Sequence, residues 1–455
     1  MAIKAISRAW GSGQDTRAYD RVAFEQCGMM EESSARIYSS ALVESPALRG
    51  RQLLLLTLAA ASALYVRTAL SPLQEAMRAA LMLNDNQMAL LQGPALALPV
   101  VLITIPLGAL VDRYSRVRLL LIFAVLGFIG SVLTAAAGGF AALFFARCLT
   151  GLTAPATWIA ASSLIGDLYL PAQRGRTTMI LAIGQFVGMS GAFALGGALL
   201  ARLGGGLHEC RLAMLWLSSP MLIVMIALMA LREPPRTGVV IQNPALREIL
   251  SEVWGYRAIV APLFVGIVML EIAYGAVLVW TVPAFSRHFV ALTPDRLGEL
   301  MGVALAVSGL LGPIVGGALA DYGQRTGGPR RTVRMLGAFV LISTPAGLFA
   351  IMPGLGAAVG LALLFMTAAS AILVTGTTLF TIVVPNEVRG FCMAILTGTS
   401  VLCGLGLSPL TVSLLSGAIG GPSMIGAALA VSCAGASLVG AISFAVGWRC
   451  IPQNA

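Results

Sequence analysis

Twelve runs of about 20 apolar residues, separated by short polar breaks, dominate this 455-residue chain. A bilayer core is about 30 Å thick and a helix rises about 1.5 Å per residue, so each run is long enough to cross it. The runs lie near 52–73, 88–111, 117–137, 140–166, 177–201 and 212–231, then near 259–282, 297–319, 332–353, 357–381, 390–416 and 422–447. Charged residues make up only 11% of the chain, against roughly 25% in a soluble domain. A backbone surrounded by lipid must satisfy its own hydrogen bonds, so an all-α membrane fold is expected.

The remaining segments are a cytoplasmic and largely disordered arm at 1–51, a linker at 232–258 and a tail at 448–455. No cleavable leader is read in the arm, and Met29 or Met30 is an alternative start. The linker opens with Arg232-Glu-Pro-Pro-Arg236, and helical apolar spacing over 246–254 predicts an amphipathic helix on the membrane surface.

Basic residues set the direction. With the N-terminus inside, 22 Lys and Arg fall in inner segments and five outside (Arg78, Arg202, Arg211, Arg287 and Arg296), while Arg67 and Arg147 lie within spans. This asymmetry puts both termini in the cytoplasm. It also accounts for the net charge of +10 without a nucleic-acid partner, because the basic residues flank apolar runs. The seven cysteines are scattered without Cys-x-x-Cys spacing and there are two histidines, which argues against a disulfide scaffold or a metal centre. No Gly-x-x-x-x-Gly-Lys-Ser/Thr loop is present to cradle a nucleotide, and no catalytic constellation marks an enzyme.

Two punctuation marks recur about 210 residues apart. Gly108-Ala-Leu-Val-Asp112-Arg113-Tyr-Ser-Arg116 is matched by Gly317-Ala-Leu-Ala-Asp321-Tyr-Gly-Gln-Arg325, and Pro171-Ala-Gln-Arg174-Gly175 by Pro385-Asn-Glu387-Val-Arg389-Gly390. The repeats divide the chain into two six-helix bundles, 52–231 and 259–447, an internal duplication of the kind used by alternating-access carriers.

The first mark resembles the loop signature of the major facilitator superfamily, Gly-x-Leu-Ala-Asp-Arg-x-Gly-Arg-Arg, with Ser115 and Val117 as departures. Within that superfamily the chain is most similar to the Spinster-like branch. The pointers are Arg67 with Leu70-Ser71, Arg147-x-x-x-Gly151, Asp167, Arg232-Glu-Pro-Pro, Trp280-x-x-Pro283, Arg287-His288 and Gly404-x-Gly406-x-x-Pro409. The resemblance implies two pseudo-symmetric halves around a cavity lined by spans 1, 4, 7 and 10. It also implies a cytoplasmic latch built from Asp112, Arg113, Arg116 and Asp167 in one half and Asp321, Arg325, Glu387 and Arg389 in the other. In this reading Asp112 faces the start of span 11, and Arg116 reaches Asp167. The latch holds the outward-open state and breaks when the protein opens inward. The branch pattern places an Asp before the first-span Arg and a Glu in span 4, and here those positions are Val66 and Ala154.

Charges inside spans cost at least about 2.5–3.5 kcal/mol each at mid-bilayer when they face lipid, so they mark function or pairing. Arg67 and Arg147 fall at comparable depth and, lacking acidic partners, suit an anion, to which Arg donates paired hydrogen bonds. The alternative for each is a set of carbonyl or hydroxyl partners within its own bundle. Glu271 is the one carboxylate well inside a span and is the candidate proton carrier or gate, the alternative being a static hydrogen-bonded Glu. Tyr65, Gln185, Tyr274, Trp280 and Thr375 are further lining candidates. Gly184, Gly188, Gly191, Gly196 and Gly197 have the spacing of close helix contacts.

The resulting expectation is a monomeric secondary transporter in a bacterial inner membrane, carrying an amphipathic or organic anion without a bound cofactor and with a proton gradient as the candidate driving force. An uncoupled facilitator and a non-transporting receptor on the same scaffold are the alternatives.

Overall fold

The computed structural model describes residues 46–234, 255, 257–384 and 386–451, with side chains at all of these except 46–47, 104–109, 112, 171–172 and 386–390. Among the described residues the regular structure is helical throughout. Eleven helical segments are long and apolar enough to cross a bilayer.

The longest of these, Pro294–Ile351, has 58 residues, more than one crossing needs. It breaks at Gly327 and Gly328, and Gly328 takes a φ of 63°, which favours a residue without a Cβ. Gln324 Nε2 donates to Thr332 Oγ1 at 3.2 Å across this break, so the chain turns back on itself. Counted as two arms, the crossing segments number twelve among the described residues, six in each half.

In the first half, α1 spans Pro46–Thr68, α2 Gln74–Ala80, α3 Asp85–Gln92 and α4 Pro94–Arg113; α5 spans Arg116–Ala136, α6 Phe140–Leu168, α7 Pro171–Leu203 and α8 Leu207–Leu228. The second half contains α9 (Arg257–His288), α10 (Pro294–Ser343), α11 (Leu355–Val383), α12 (Asn386–Ser400), α13 (Ser408–Ile419) and α14 (Ile425–Cys450). A π-helical stretch, Val401–Leu407, joins α12 to α13 in one crossing.

Local sequence explains several boundaries. A Ser71-Pro72 turn interrupts the first crossing, since Pro72 has no N–H to continue the ladder. Asn84 caps α3 in a reciprocal capping box with Gln87, at 2.8 and 3.0 Å. Ser115 caps α5 by accepting from the Arg118 N–H.

Two boundaries differ from the sequence expectation. Helix α1 starts at Pro46, inside the segment assigned to the arm, and the Tyr169 hydroxyl donates to the Arg49 carbonyl at 2.8 Å to hold it there. Helix α14 runs to Cys450, past the expected start of the tail. The rest of the arm and the stretch 246–254 lie outside the described residues.

Each half has its own core. Leu56, Met88, Leu120, Leu164 and Met214 belong to the first, and Ile267, Leu336, Phe380 and Phe444 to the inner part of the second. A third cluster belongs to both halves: Ala89, Met189 and Phe193 pack with Ala276, Trp280 and Leu305. On the outside, Phe145, Ile223 and Ile342 are each more than 70% exposed, as suits a surface wetted by lipid tails.

The halves meet most closely where α7 crosses α10. A Cβ on Gly298 would lie 2.6 Å from the Phe193 carbonyl oxygen and 2.8 Å from the Gly197 Cα, so only glycine fits this seam. Ser190 Oγ donates to the Gly302 carbonyl at 2.6 Å along the same line. A second approach brings Gly93, before α4, against the Gly406 carbonyl in the π-helical stretch.

Candidate functional site

Arg67 sits near the end of α1, and Glu271 and Tyr274 lie one helical turn apart on α9. The three belong to opposite halves and are close enough to interact electrostatically. All three are half-buried. Neither Arg67 nor Glu271 makes a side-chain hydrogen bond or an ion pair of 4.0 Å or less with a described residue. The Tyr65 and Tyr274 hydroxyls have buried oxygens without a hydrogen-bond partner among the described residues. A buried polar atom without a partner costs about 1–3 kcal/mol, so these two hydroxyls suit polar partners on a ligand. Gln185, on α7, is half-buried. Leu64, Phe186 and Tyr274 pack against the cluster shared by the halves, which supplies apolar surface beside the polar groups.

The π-helical stretch adjoins this place. A Cβ on Gly404 would lie 2.9 Å from the Glu271 Cβ, so the backbone of that turn lies directly against the carboxylate-bearing residue. Two residues further on, Gly406 meets Gly93 of the other half. Stretches of this kind are rare and recur at functional positions.

Three lining candidates prove to be structural. Arg147 is 1% exposed. Its Nη2 donates to the Arg67 carbonyl at 2.9 Å and to Gln92 Oε1 at 2.8 Å, while Nε reaches the Leu91 carbonyl at 3.5 Å. Gln92 in turn donates to Gln74 Oε1 and Ser71 Oγ at 3.1 and 3.3 Å. Arg147 therefore clamps the break in the first crossing, and it holds the backbone of Arg67 rather than an anion. Trp280 is sealed, with Nε1 donating to the Pro409 carbonyl at 2.9 Å. Thr375 is sealed too, its hydroxyl bonded to the Gly316 and Ala371 carbonyls at 2.8 and 2.9 Å.

Arg147→Ala leaves the Arg67 carbonyl and the Gln92 amide oxygen without their donor, at about 1–3 kcal/mol for each. A clear fall in the thermal unfolding temperature of the purified protein is expected, and fluorescence-detected unfolding in detergent measures it. An unchanged midpoint would show that Arg147 does not clamp the break.

On the side carrying most of the basic residues, Arg116 is ion-paired with Asp167 and, at 2.9 Å, with Glu233. Glu233 also accepts from the Ser115 hydroxyl at 2.8 Å and the Val117 N–H at 2.9 Å. Burial alone would raise the Glu233 carboxyl, but these donors hold it below the usual carboxylate value. Among the described residues this network joins the first half to the start of the linker. Arg113, Asp321 and Arg325 are exposed, and none forms an ion pair with another described residue. The side chains of Asp112, Glu387 and Arg389 lie outside those described.

Polar links between the halves gather at the opposite end. Arg287, at the end of α9, donates Nη2 to Glu75 Oε1 at 2.7 Å and to Asp85 Oδ1 at 2.7 Å. Its Nε reaches Glu75 Oε2 at 3.0 Å and its Nη1 reaches Asp85 Oδ2 at 2.8 Å. Arg78 lies beside the same carboxylates, and Ser413 Oγ donates to Asn86 Oδ1 at 2.6 Å nearby. Among the described residues, every side-chain hydrogen bond between the halves lies here or along the α7–α10 seam. Sequence reasoning missed this four-residue network. Its one trace was the Arg287-His288 pair, which gave no hint of partners some two hundred positions away.

The sequence matches the family model of the Major Facilitator Superfamily over residues 56–409. The chain belongs to this superfamily. It is a multi-pass integral membrane protein, and a transporter rather than an enzyme. Solved structures of this superfamily fold are similar to it. A bacterial homologue of the human lysosomal transporter Spinster, in its inward-facing and unoccupied conformation, superposes with a TM-score of 0.73 at 21% identity, covering 90% of this chain and 97% of that one. The nucleoside transporter NupG gives 0.68 at 12% identity, with 87% and 99% covered. A D-xylose–proton symporter gives 0.66 at 17% identity, with 89% and 98% covered. No curated protein matches the chain. The Spinster-like motifs quoted above agree with the first of these likenesses, which at this identity is one of fold.

Proposed function

We propose that this superfamily member is a secondary carrier that moves an amphipathic organic anion across a bacterial inner membrane by alternating access, with Glu271 exchanging the coupling proton. One observation carries the reading. Arg67 and Glu271 come from opposite halves and lie close enough to interact, and neither side chain is hydrogen-bonded or ion-paired with a described residue. A guanidinium without a carboxylate partner offers an anion two parallel hydrogen bonds. The tyrosine hydroxyls at positions 65 and 274 add neutral donors, and Leu64 and Phe186 suit an apolar body on the ligand. A carboxyl group shielded from water can take up and release a proton, and an anion arriving at Arg67 alters the charge beside it. Basic residues place the Arg287 network on the outer side. Among the described residues the polar contacts between halves lie at that end and along the seam, which supports reading this conformation as inward-facing.

The test uses the purified protein in sealed proteoliposomes, with a panel of labelled organic anions and lysolipids. Counterflow identifies the substrate, and an imposed pH gradient then asks whether it is concentrated. The wild type is expected to accumulate substrate against its gradient. Glu271→Gln is expected to exchange substrate yet accumulate none. A Glu271→Gln protein that responds to the gradient as the wild type does refutes the proton role.

A second reading, an uncoupled facilitator, is supported by the buried Val66 and Ala154, which stand where related sequences carry carboxylates. In that case wild type and Glu271→Gln both equilibrate the substrate and neither concentrates it.

A further inference from the structure

A groove of about 260 Å³ opens on the outer surface of the second half, between α14 and the arm of α10 that follows the Gly327–Gly328 break. Its floor is small or apolar, with Gly337, Ala338 and Ala445 leaving the space and Leu341 and Leu438 at its deep end. The helices touch beneath it, since a Cβ on Gly337 would sit 3.3 Å from the Phe444 Cβ.

The mouth has different chemistry. Arg334 and Trp448 line it, and the Arg330 guanidinium lies over the Trp448 ring at 5.7 Å. Among the described residues Arg330, Arg334 and Arg449 have no carboxylate partner. Arg334 and Leu341 are seven residues apart, so the groove runs about 10 Å inward from a cationic rim at 1.5 Å per residue.

We propose that this groove binds one anionic phospholipid of the cytoplasmic leaflet. The phosphate sits between Arg330 and Arg334, Trp448 lies at headgroup level, and one acyl chain fills the apolar floor. The basic residues assign this end to the cytoplasmic side, where anionic headgroups draw Lys and Arg. A zwitterionic lipid fits the floor equally well but gains little from the rim. The site lies on the lipid-facing side, away from Arg67 and Glu271, and is independent of the transport reading.

Native mass spectrometry of the full-length protein, given equimolar phosphatidylglycerol and phosphatidylcholine, tests this. The wild type is expected to retain phosphatidylglycerol over phosphatidylcholine by about tenfold or more, given two arginines at the rim. R330A/R334A is expected to bring that ratio close to one while still holding lipid. Ala445→Phe, at an exposed helical position, fills the groove and is expected to lose both lipids. Equal retention of the two lipids by the wild type, or wild-type retention in both variants, overturns the proposal.

Discussion

Arg67→Ala is expected to weaken binding of the transported anion by about 10- to 150-fold, the loss that follows when charge-assisted hydrogen bonds of about 1.5–3 kcal/mol are removed. The side chain makes no hydrogen bond or ion pair with a described residue, so on the proposed reading the change removes a ligand contact. Thermal stability should therefore stay near that of the wild type, in contrast to Arg147→Ala. Arg67→Lys keeps the charge but not the planar pair of donors, and an intermediate loss is expected. Substrate counterflow in proteoliposomes measures the affinities. An Arg67→Ala protein with unaltered affinity would remove the anion site.

Removing Arg287 should have an effect of similar size on conformation. Arg287→Ala leaves Glu75 and Asp85 with Arg78 but without the cation that ties them to the second half. Hydrogen bonds to charged groups contribute about 1.5–3 kcal/mol, less where water screens them. A loss of about 1–3 kcal/mol from the outer closure raises the outward-open population by about 5- to 150-fold. Spin labels at Met82 and Val290, exposed on the outer loops of the two halves, report this as a new long-distance component in pulsed electron resonance. Arg296→Ala is the control, because its ion pair with Glu299 is exposed and lies within one helix. An unchanged distance distribution in Arg287→Ala would show that these charges do not hold the outer side closed.

The fold was legible because lipid imposes a length on every crossing helix, and the repeated Gly-Ala-Leu marks divided the crossings six and six. Arg67 and Glu271 stand out in the sequence for a related reason, since a charge inside an apolar run needs explaining. Arg147 obeys the same rule, and its partners are the carbonyl and amide groups within its own bundle that were the alternative to an anion. Counting residues along a span fixes depth, but α6 is rich in small and apolar residues on every face, so nothing in its sequence revealed which way Arg147 points. Its carbonyl and amide acceptors come from the breaks after α1 and α3, which apolar periodicity does not register. Trp280 and Thr375 failed likewise, since a polar group satisfied by a backbone carbonyl looks the same in sequence as one facing a cavity. The Arg287 network lay beyond reach because its members sit at the ends of crossing helices and in short helices between them, where charge is ordinary, and only the fold brings them together.

The Gly197–Gly298 crossing bears on how fast such a molecule could change shape. Where two helices touch through bare main chain, no side chains interlock across the contact. Pivoting at that one point then requires no rotamers to reset, while the Ser190–Gly302 bond further along the seam must yield. Friction at that point should be low, and the halves can use it as a bearing. The slow part of each excursion would then be set elsewhere, by ionic contacts at the rim that must let go of one another and take up water.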